Sequence, residues 1–406
     1  MNNRVVVTGI GTVSAFGNTF CDFWTGLAEG RSAIRAMKLV PPGSVRFPNG
    51  GEVPDFHASS YFDEKEAMML DRFAQFASVA AREAVQSSGI EFIPELGERT
   101  AIILGSSGGG KTTEDEGFHS LYALSQPRVS PLTIARAMSN AGASRISFEY
   151  GITGPVYTIS TACSSANHAI GQAFRMVRSG EVEVAITGGS EAPFTLGFLK
   201  AWEAMRVVSP DTCRPFSRDR RGLILGEGAG ILILEPMDRA LARGASILGE
   251  VAGFGMSSDA FHITQPSPVG AARAMRAALA DASIHAEAVG YVNAHGTGTT
   301  ANDSTETEAI RSVFGEHTEK LLVSSTKSMH GHALGAAGAL EAAATIGALR
   351  AGIIPPTANF NEPDPACDLD VVPNLPRAAE VQWALSNSFA FGGLNAVLVF
   401  RKWLEP

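Results

Sequence analysis

Residues 154–168, Gly-Pro-Val-Tyr-Thr-Ile-Ser-Thr-Ala-Cys-Ser-Ser-Ala-Asn-His, constrain the fold more than any other stretch. The segment opens as a strand, with apolar and β-branched residues behind a Gly-Pro turn signal. After Cys163 the period changes: Ala166, Ile170, Ala173, Phe174 and Val177 recur at helical spacing. Cys163 therefore stands at a strand-to-helix turn. Free N–H groups and the positive end of a helix dipole favour thiolate over thiol there. A thiol so placed is a nucleophile for acyl transfer. The competing reading is a small buried hydrophobe, as lone cysteines often are.

The second half of the chain repeats this layout. Val289–Asn293 reads as a strand that ends at His295-Gly296-Thr297-Gly298-Thr299. Leu321–Ser325 reads as another, ending near Lys327 and running through Met329-His330-Gly331-His332 into a long helix from Leu334 to Leu349. The last strands flank Phe391-Gly392-Gly393. Two similar α/β halves, 1–245 and 246–406, would set their reactive turns at the same ends of their sheets, where such sheets place ligands. A chain of 406 residues is long for one simple core and agrees with a duplication.

Composition removes several function classes. A net charge of −9 argues against non-specific nucleic-acid binding. An acidic protein partner would need a local basic patch. The four cysteines, Cys21, Cys163, Cys213 and Cys367, show neither CxxC nor metal spacing, which predicts a reducing cytoplasm; no metal or other cofactor is expected. The N-terminal apolar run is only Val5-Val6-Val7, too short for a signal peptide. The most apolar long stretch, 333–349, is mostly alanine and glycine and carries Glu341, so a buried helix is expected and no membrane span.

One motif points elsewhere. Gly105-Ser106-Ser107-Gly108-Gly109-Gly110-Lys111-Thr112 matches the phosphate-binding pattern G-x-x-x-x-G-K-[ST] and follows the expected strand 100–104. Against a nucleotide, Glu114-Asp115-Glu116 crowd the phosphate position with negative charge. The residues after the lysine also lack a clean helical apolar face.

Four turns remain to be explained together: Cys163, His295, Lys327 with His332, and Phe391-Gly392-Gly393. A single histidine near a core is usually a satisfied polar group. Two histidines, each inside a small-residue turn after a strand, suggest chemistry. His168 and His330 read as structural. Lys327, among Ser325, Thr326, Ser328 and Met329, reads as a partly buried lysine that holds a histidine or a carboxylate.

These motifs resemble those of the β-ketoacyl-acyl-carrier-protein synthases of the thiolase superfamily, most of all the elongating, type II-like condensing enzymes. The resemblance runs from Val5 to Phe400. It is carried by Thr161-Ala162-Cys163-Ser164-Ser165, Asn293-Ala294-His295-Gly296-Thr297, Lys327-Ser328-Met329-His330-Gly331-His332 with Gly335-Ala336-Ala337-Gly338, and Asn387-Ser388-Phe389-Ala390-Phe391-Gly392-Gly393. It implies a duplicated thiolase-like fold in five αβαβα layers, a dimer, and decarboxylative Claisen condensation between acyl and malonyl thioesters on an acyl carrier protein. Cys163 would take the acyl chain. His295 and His332 would donate protons to the enolate oxygen, and Lys327 would orient His332. Asp303 and Glu341 would be carboxylates near that lysine. The N–H groups of Cys163 and Phe391 would stabilise the tetrahedral oxyanion, with Phe391 as gatekeeper. Gly108 and Thr133 would line the acyl pocket, Gly108 making it deeper than usual and Thr133 reaching over from a partner. The glycine-rich segment then lies beside that pocket and not around a phosphate.

Some positions depart from the family pattern. Leu394 stands where Thr is usual, and the His295 loop reads Gly298-Thr299-Thr300, closer to polyketide synthases. Lys65-Glu66-Ala67-Met68-Met69 occupies a stretch usually richer in Arg and Lys, leaving Lys65, Arg128 and Arg206 to dock the acidic carrier. These departures favour a specialised polyene or polyketide-like route as a rival to housekeeping fatty-acid synthesis. Other readings are a non-catalytic chain-length subunit in a heterodimer, which usually lacks the cysteine, and a coenzyme A thiolase, which would need a second cysteine after Cys367.

Overall fold

In a computed structural model, which describes residues 3–404, ten strands form one continuous sheet. In chain order they are β1 (Val5–Val13), β2 (Thr100–Gly105), β3 (Val156–Ile159), β4 (Val184–Glu191), β5 (Gly228–Pro236), β6 (Gly249–Ser258), β7 (Val289–Asn293), β8 (Leu322–Ser324), β9 (Trp383–Ala390) and β10 (Leu394–Arg401). Their spatial order is β8-β7-β9-β10-β6-β1-β5-β4-β2-β3. Each set of five follows the same path: its first strand lies beside its fifth, then come the fourth, second and third. The directions repeat too. β1–β5 and β5–β4 are antiparallel while β4–β2 and β2–β3 are parallel; β6–β10, β10–β9, β9–β7 and β7–β8 copy that series. The sets join where Val5, Val6 and Val7 pair with Val251, Glu250 and Gly249.

The helices that place the site are α1 (Arg72–Ser88), α2 (Lys111–Tyr122), α3 (Thr133–Ala137), α4 (Ser165–Ser179), α5 (Leu196–Met205), α6 (Pro268–Asp281), α7 (Thr300–Phe314) and α8 (Ala337–Ala351). Three apolar clusters define the layers. One lies between the two sheet halves and holds α4 and α8. A second packs α1 on the outer face of the first half, and a third packs α6 and α7 on that of the second. The result is the five-layer, duplicated thiolase-like arrangement expected. α8 is buried from Ala337 to Leu349, so its all-round small and apolar sequence fits a central helix and not a membrane. Among the described residues no helix is long and apolar enough to cross a bilayer.

Leu70–Ser87 reads from its pattern as an amphipathic helix, and the boundaries of this and other elements shift for identifiable reasons. α1 starts at Arg72 because Asp71 caps it, its carboxylate accepting from Phe73 N at 3.2 Å, and it ends at left-handed Gly89. The residues after Lys111 form a helix, α2, and, as expected, it has no clean apolar face. It buries only Thr113, so no apolar face announced it. α8 is preceded by a 3-10 turn, Leu334–Ala336, instead of running on from Leu334.

Gly105, at the end of β2, lets α4 approach the sheet. A Cβ there would sit 2.4 Å from both Ala166 N and Ser165 C. Both are backbone atoms and cannot move aside. Gly105→Ala is expected to lower stability by roughly 3 kcal/mol. Urea denaturation followed by circular dichroism checks this, and an unchanged midpoint would show that the helix start is not wedged against β2.

Candidate active site

Cys163 follows β3 across a strained turn. Ala162 holds φ 51°, a left-handed conformation unusual for a residue with a Cβ. Ser165 Oγ closes the turn, donating to Ala162 O at 2.6 Å and accepting from Thr161 N at 2.9 Å. His168, one turn into α4, places Nδ1 3.0 Å from Thr161 Oγ1 and Ser164 O. It braces the turn from behind, the structural role expected of it.

Cys163, His295 and His332 are buried, and their donor atoms lie within 4.8 Å of one another. The two imidazoles meet edge to face, 5.4 Å between centroids. All three line a cavity of about 240 Å³ together with Trp202, Thr297, Thr299, Phe389 and Phe391. Met205, Val207 and the loop Ile263–Pro266 also line it.

His332 Nδ1 accepts from Leu334 N–H at 3.2 Å, so its proton sits on Nε2. That Nε2 is buried with no protein partner. The same bond decides against a metal. Cysteine and two histidines are a zinc-type donor set, but a protonated Nε2 has no lone pair to give.

His295 is clamped through its backbone. Glu306, on α7, accepts from His295 N and Gly296 N, each at 2.8 Å. From the other side Lys327 Nζ donates to His295 O at 2.6 Å and bonds Glu341. Two expectations need correction here. Lys327 bonds the His295 backbone and not His332, which takes its orientation from Leu334. Asp303 is not beside the lysine: it accepts from Phe216 N at 2.8 Å and Gly298 N at 3.2 Å, with Arg220 3.8 Å away. Glu341 does meet Lys327, as expected. Glu306 went unnoticed because an acid inside a polar helix has no sequence mark until the helix is docked. His330 packs on Phe23 at 5.6 Å, away from the cavity.

Burial dominates the protonation of the site. It pushes the Cys163 thiol up to about 11, against the opposing pull of Lys327 and of the Phe391 N–H that bonds the sulfur. The expectation of a thiolate resting at the helix end is therefore overturned: α4 starts two residues on, and desolvation outweighs the local donors. Burial, aided by Lys327, also holds His295 and His332 well below the usual histidine range, so both are neutral donors. Burial raises Glu341 to about 7.

The glycine-rich turn 105–110 does cradle an anion, but an internal one. The Glu191 carboxylate accepts from Ser107 N (2.8 Å), Ser107 Oγ (2.6 Å), Gly108 N (3.0 Å) and Gly335 N (3.1 Å). Lys111 pairs with Glu114 at 2.7 Å. A phosphate has no place there.

Gly108 does not line the Cys163 cavity. A Cβ on it would sit 3.0 Å from Glu191 Oε1 and 3.3 Å from Lys111 Cγ, so neighbours fill the space expected to deepen the pocket. Thr133 lines a separate cavity of about 180 Å³ with Gly117, Arg128 and Arg136, and takes no part in this chain's own site. Lys65, Arg128 and Arg206 are exposed. Arg206 caps α5 between Met205 and Val207, both of which line the cavity. Phe391 is half-buried, and Gly392 and Gly393 hold φ +83° and +69°, which lets its N–H reach the sulfur.

The family profiles "Beta-ketoacyl synthase, N-terminal domain" and "Beta-ketoacyl synthase, C-terminal domain" match residues 2–240 and 248–361. The chain belongs to the β-ketoacyl synthase family. It is 46% identical to nodulation protein E of Rhizobium meliloti, over 99% of this chain and 100% of that protein. It is 43% identical to 3-oxoacyl-[acyl-carrier-protein] synthase 2 of Synechocystis sp., over 98% of each. The solved structure of the ishigamide ketosynthase/chain length factor superposes with a TM-score of 0.95 at 38% identity, covering 100% of both chains.

Reactivity of the free enzyme follows from this β-ketoacyl synthase site. Alkylation of Cys163 by iodoacetamide should be slow at pH 7 and rise about tenfold per pH unit towards pH 11, because only the thiolate reacts. Removing the cation in Lys327→Met raises the thiol further and slows alkylation at any fixed pH. Intact-mass spectrometry follows the adduct; a plateau already at pH 7 would contradict the buried-thiol assignment.

Proposed function

We propose that this chain is an active 3-oxoacyl-[acyl-carrier-protein] synthase. The observation that carries the reading is the meeting of Cys163, His295 and His332 within 4.8 Å at one cavity. Cys163 accepts an acyl group from a carrier thioester, forming a new thioester and releasing the carrier thiol. Malonyl-carrier then binds and loses carbon dioxide, leaving an enolate. Its carbon attacks the Cys163 thioester, the C–S bond breaks, and the 3-ketoacyl chain leaves on the carrier while the Cys163 thiolate takes up one proton from solvent to restore the thiol.

The residues divide this work. The proton lost by Cys163 in the first step ends on the departing carrier thiol, so the thiol needs no resting negative charge. Phe391 N–H, already on the sulfur, supports the tetrahedral oxyanion. His332 Nε2–H and the neutral His295 imidazole serve the enolate oxygen, which gains its charge only in the transition state. Lys327 positions His295 by its carbonyl. The alternative of a non-catalytic chain-length subunit leaves a complete donor set unexplained.

Partners and pathway belong to the same reading. Arg206, at the rim, with Lys65 and Arg128 supports docking of an acidic carrier. Phe118, Tyr122, Ile134 and Phe148 are exposed apolar side chains, which supports pairing with a second ketosynthase-fold subunit, a copy of this chain or a relative. The His295 loop and Leu394 support a specialised polyene or polyketide-like route. All four cysteines are free, which supports work in a reducing cytoplasm.

Cys163→Ala is expected to abolish acyl transfer from acyl-carrier, with no adduct in the intact mass. An adduct persisting on Cys21, Cys213 or Cys367 would refute the assignment of the nucleophile.

The histidines should act later. His295→Ala and His332→Ala are each expected to slow carbon dioxide release from malonyl-carrier ~100- to 1,000-fold. Loading of Cys163 should suffer less. Wild-type carbon dioxide release in both variants would rule out the enolate role.

A further inference from the structure

The glycine-rich turn 105–110 wraps a side chain that also reaches the other half of the molecule. Glu191, 1% exposed at the end of β4, accepts from Ser107 N and Gly108 N on one side. On the other it accepts from Gly335 N at 3.1 Å. The residue before Gly335 is Leu334, whose N–H donates to His332 Nδ1 at 3.2 Å. A series therefore runs from the acid to the ring: Glu191 to Gly335 by a hydrogen bond, Gly335 to Leu334 through the peptide, Leu334 to His332 by a second hydrogen bond. Glu191 itself does not line the Cys163 cavity.

The middle of this series is strained. Leu334 holds φ 47°, a left-handed conformation that a residue with a bulky side chain keeps only where its surroundings impose it. Its side chain is buried in an apolar cluster with Leu199, Leu223 and Leu225. Its peptide to Gly335 is set by the Glu191 bond. Gly335 presses on the turn itself: a Cβ there would sit 2.4 Å from Ser107 N and 2.6 Å from Glu191 Oε2.

The main chain of His332 is fixed separately. Its N–H donates to Ile224 O at 2.7 Å, and its carbonyl accepts from Gly226 N at 2.9 Å. Those bonds leave the ring free. A neutral imidazole carries its proton on either nitrogen, and only the Nε2–H form offers the cavity a donor. The Leu334 N–H selects that form, because it needs the lone pair of Nδ1.

We infer that Glu191 is a positioning residue for His332. By holding Gly335 it keeps the Leu334 N–H on Nδ1, and so keeps the proton on Nε2. This rests on the condensing-enzyme reading above. The half that supplies the nucleophile thereby also sets a donor of the opposite half.

The test uses the full chain carrying isotope-labelled histidine. Proton–nitrogen correlation spectra report which nitrogen of His332 bears the proton, the signal being assigned by its loss in His332→Ala. The wild type should show Nε2–H, and a proton on Nδ1 overturns the inference. In Glu191→Ala the Gly335 N–H loses its acceptor, and both forms should appear. Carbon dioxide release from malonyl-carrier should then fall about tenfold or more, short of the ~100- to 1,000-fold expected when a donor is removed. Loading of Cys163 from acyl-carrier should fall much less. Glu191→Gln keeps an oxygen towards Gly335 and should restore the wild-type spectrum and most of the rate. An unchanged His332 spectrum in Glu191→Ala, or equal losses in loading and carbon dioxide release, overturns the role of Glu191. If the alanine variant does not fold, Glu191→Asp, one methylene too short to span from the turn to Gly335, takes its place with the same readings. If the wild type releases no carbon dioxide, the condensing-enzyme reading falls, while the spectra still decide the link between Glu191 and the ring.

Discussion

A buried charge pair, Lys327 with Glu341, holds the second half of the site together. Both side chains are fully excluded from solvent. A lone ammonium there would cost several kcal/mol, so the lysine requires its carboxylate and its carbonyl. The pair ties the short helix after β8 to the central helix α8, and Lys327 then reaches the backbone of His295 after β7. Three segments of the second half, the turn after β7, the short helix after β8 and α8, are thereby tied by one ammonium. Glu306 completes the arrangement by binding the N–H side of the same residue. His295 is held by its main chain between a cation and an anion, while its ring stays free of any strong partner.

The duplication explains why such a clamp can serve a cysteine from the other half. Each half has the same strand path, so equivalent strands end at equivalent places. Cys163 follows β3, the third strand of its half; the turn carrying Lys327 and His332 follows β8, the third strand of the other. Each turn leads into a central helix, α4 or α8. His295 follows β7, the counterpart of β2, whose own turn wraps the Glu191 carboxylate. The repeat has divided its labour: one copy supplies a nucleophile and an internal anion, the other supplies donors. The Phe391 turn, after β9, brings the last N–H to the sulfur.

This division was partly legible in the sequence. Cys163, His295 and His332 stood out because each follows a strand and sits among small residues, and the fold brings all three to one cavity. What failed were the readings that needed side-chain reach. Gly108 promised an opening, yet its missing side chain is replaced by Glu191 and the Lys111 stem, since interiors seldom leave voids. Asp303 and Glu306 stand one helical turn apart on α7. Only the docking of that helix decides that Glu306 meets His295 while Asp303 serves the neighbouring loop. Lys327 was given to the nearer histidine in sequence, and reaches the farther one in space. The thiol was read from its position before a helix, whereas its protonation is set by how much water the folded cavity admits.

That last point bears on how the site can work. A thiol raised to about 11 is a poor nucleophile at neutral pH, and two histidines held well below their usual range stay neutral and are poor bases in the ground state. The same burial produces both effects. It also removes water that would compete for an oxyanion, so neutral N–H donors act at full strength on charge that appears in the transition state. A protonated imidazole would repel Lys327 and disturb the clamp that holds His295; a resting thiolate would lie unpaired in the same dry cavity. The positive charge stays on Lys327, at the His295 carbonyl and balanced by Glu341, and the reacting faces stay neutral until substrate brings the negative charge with it.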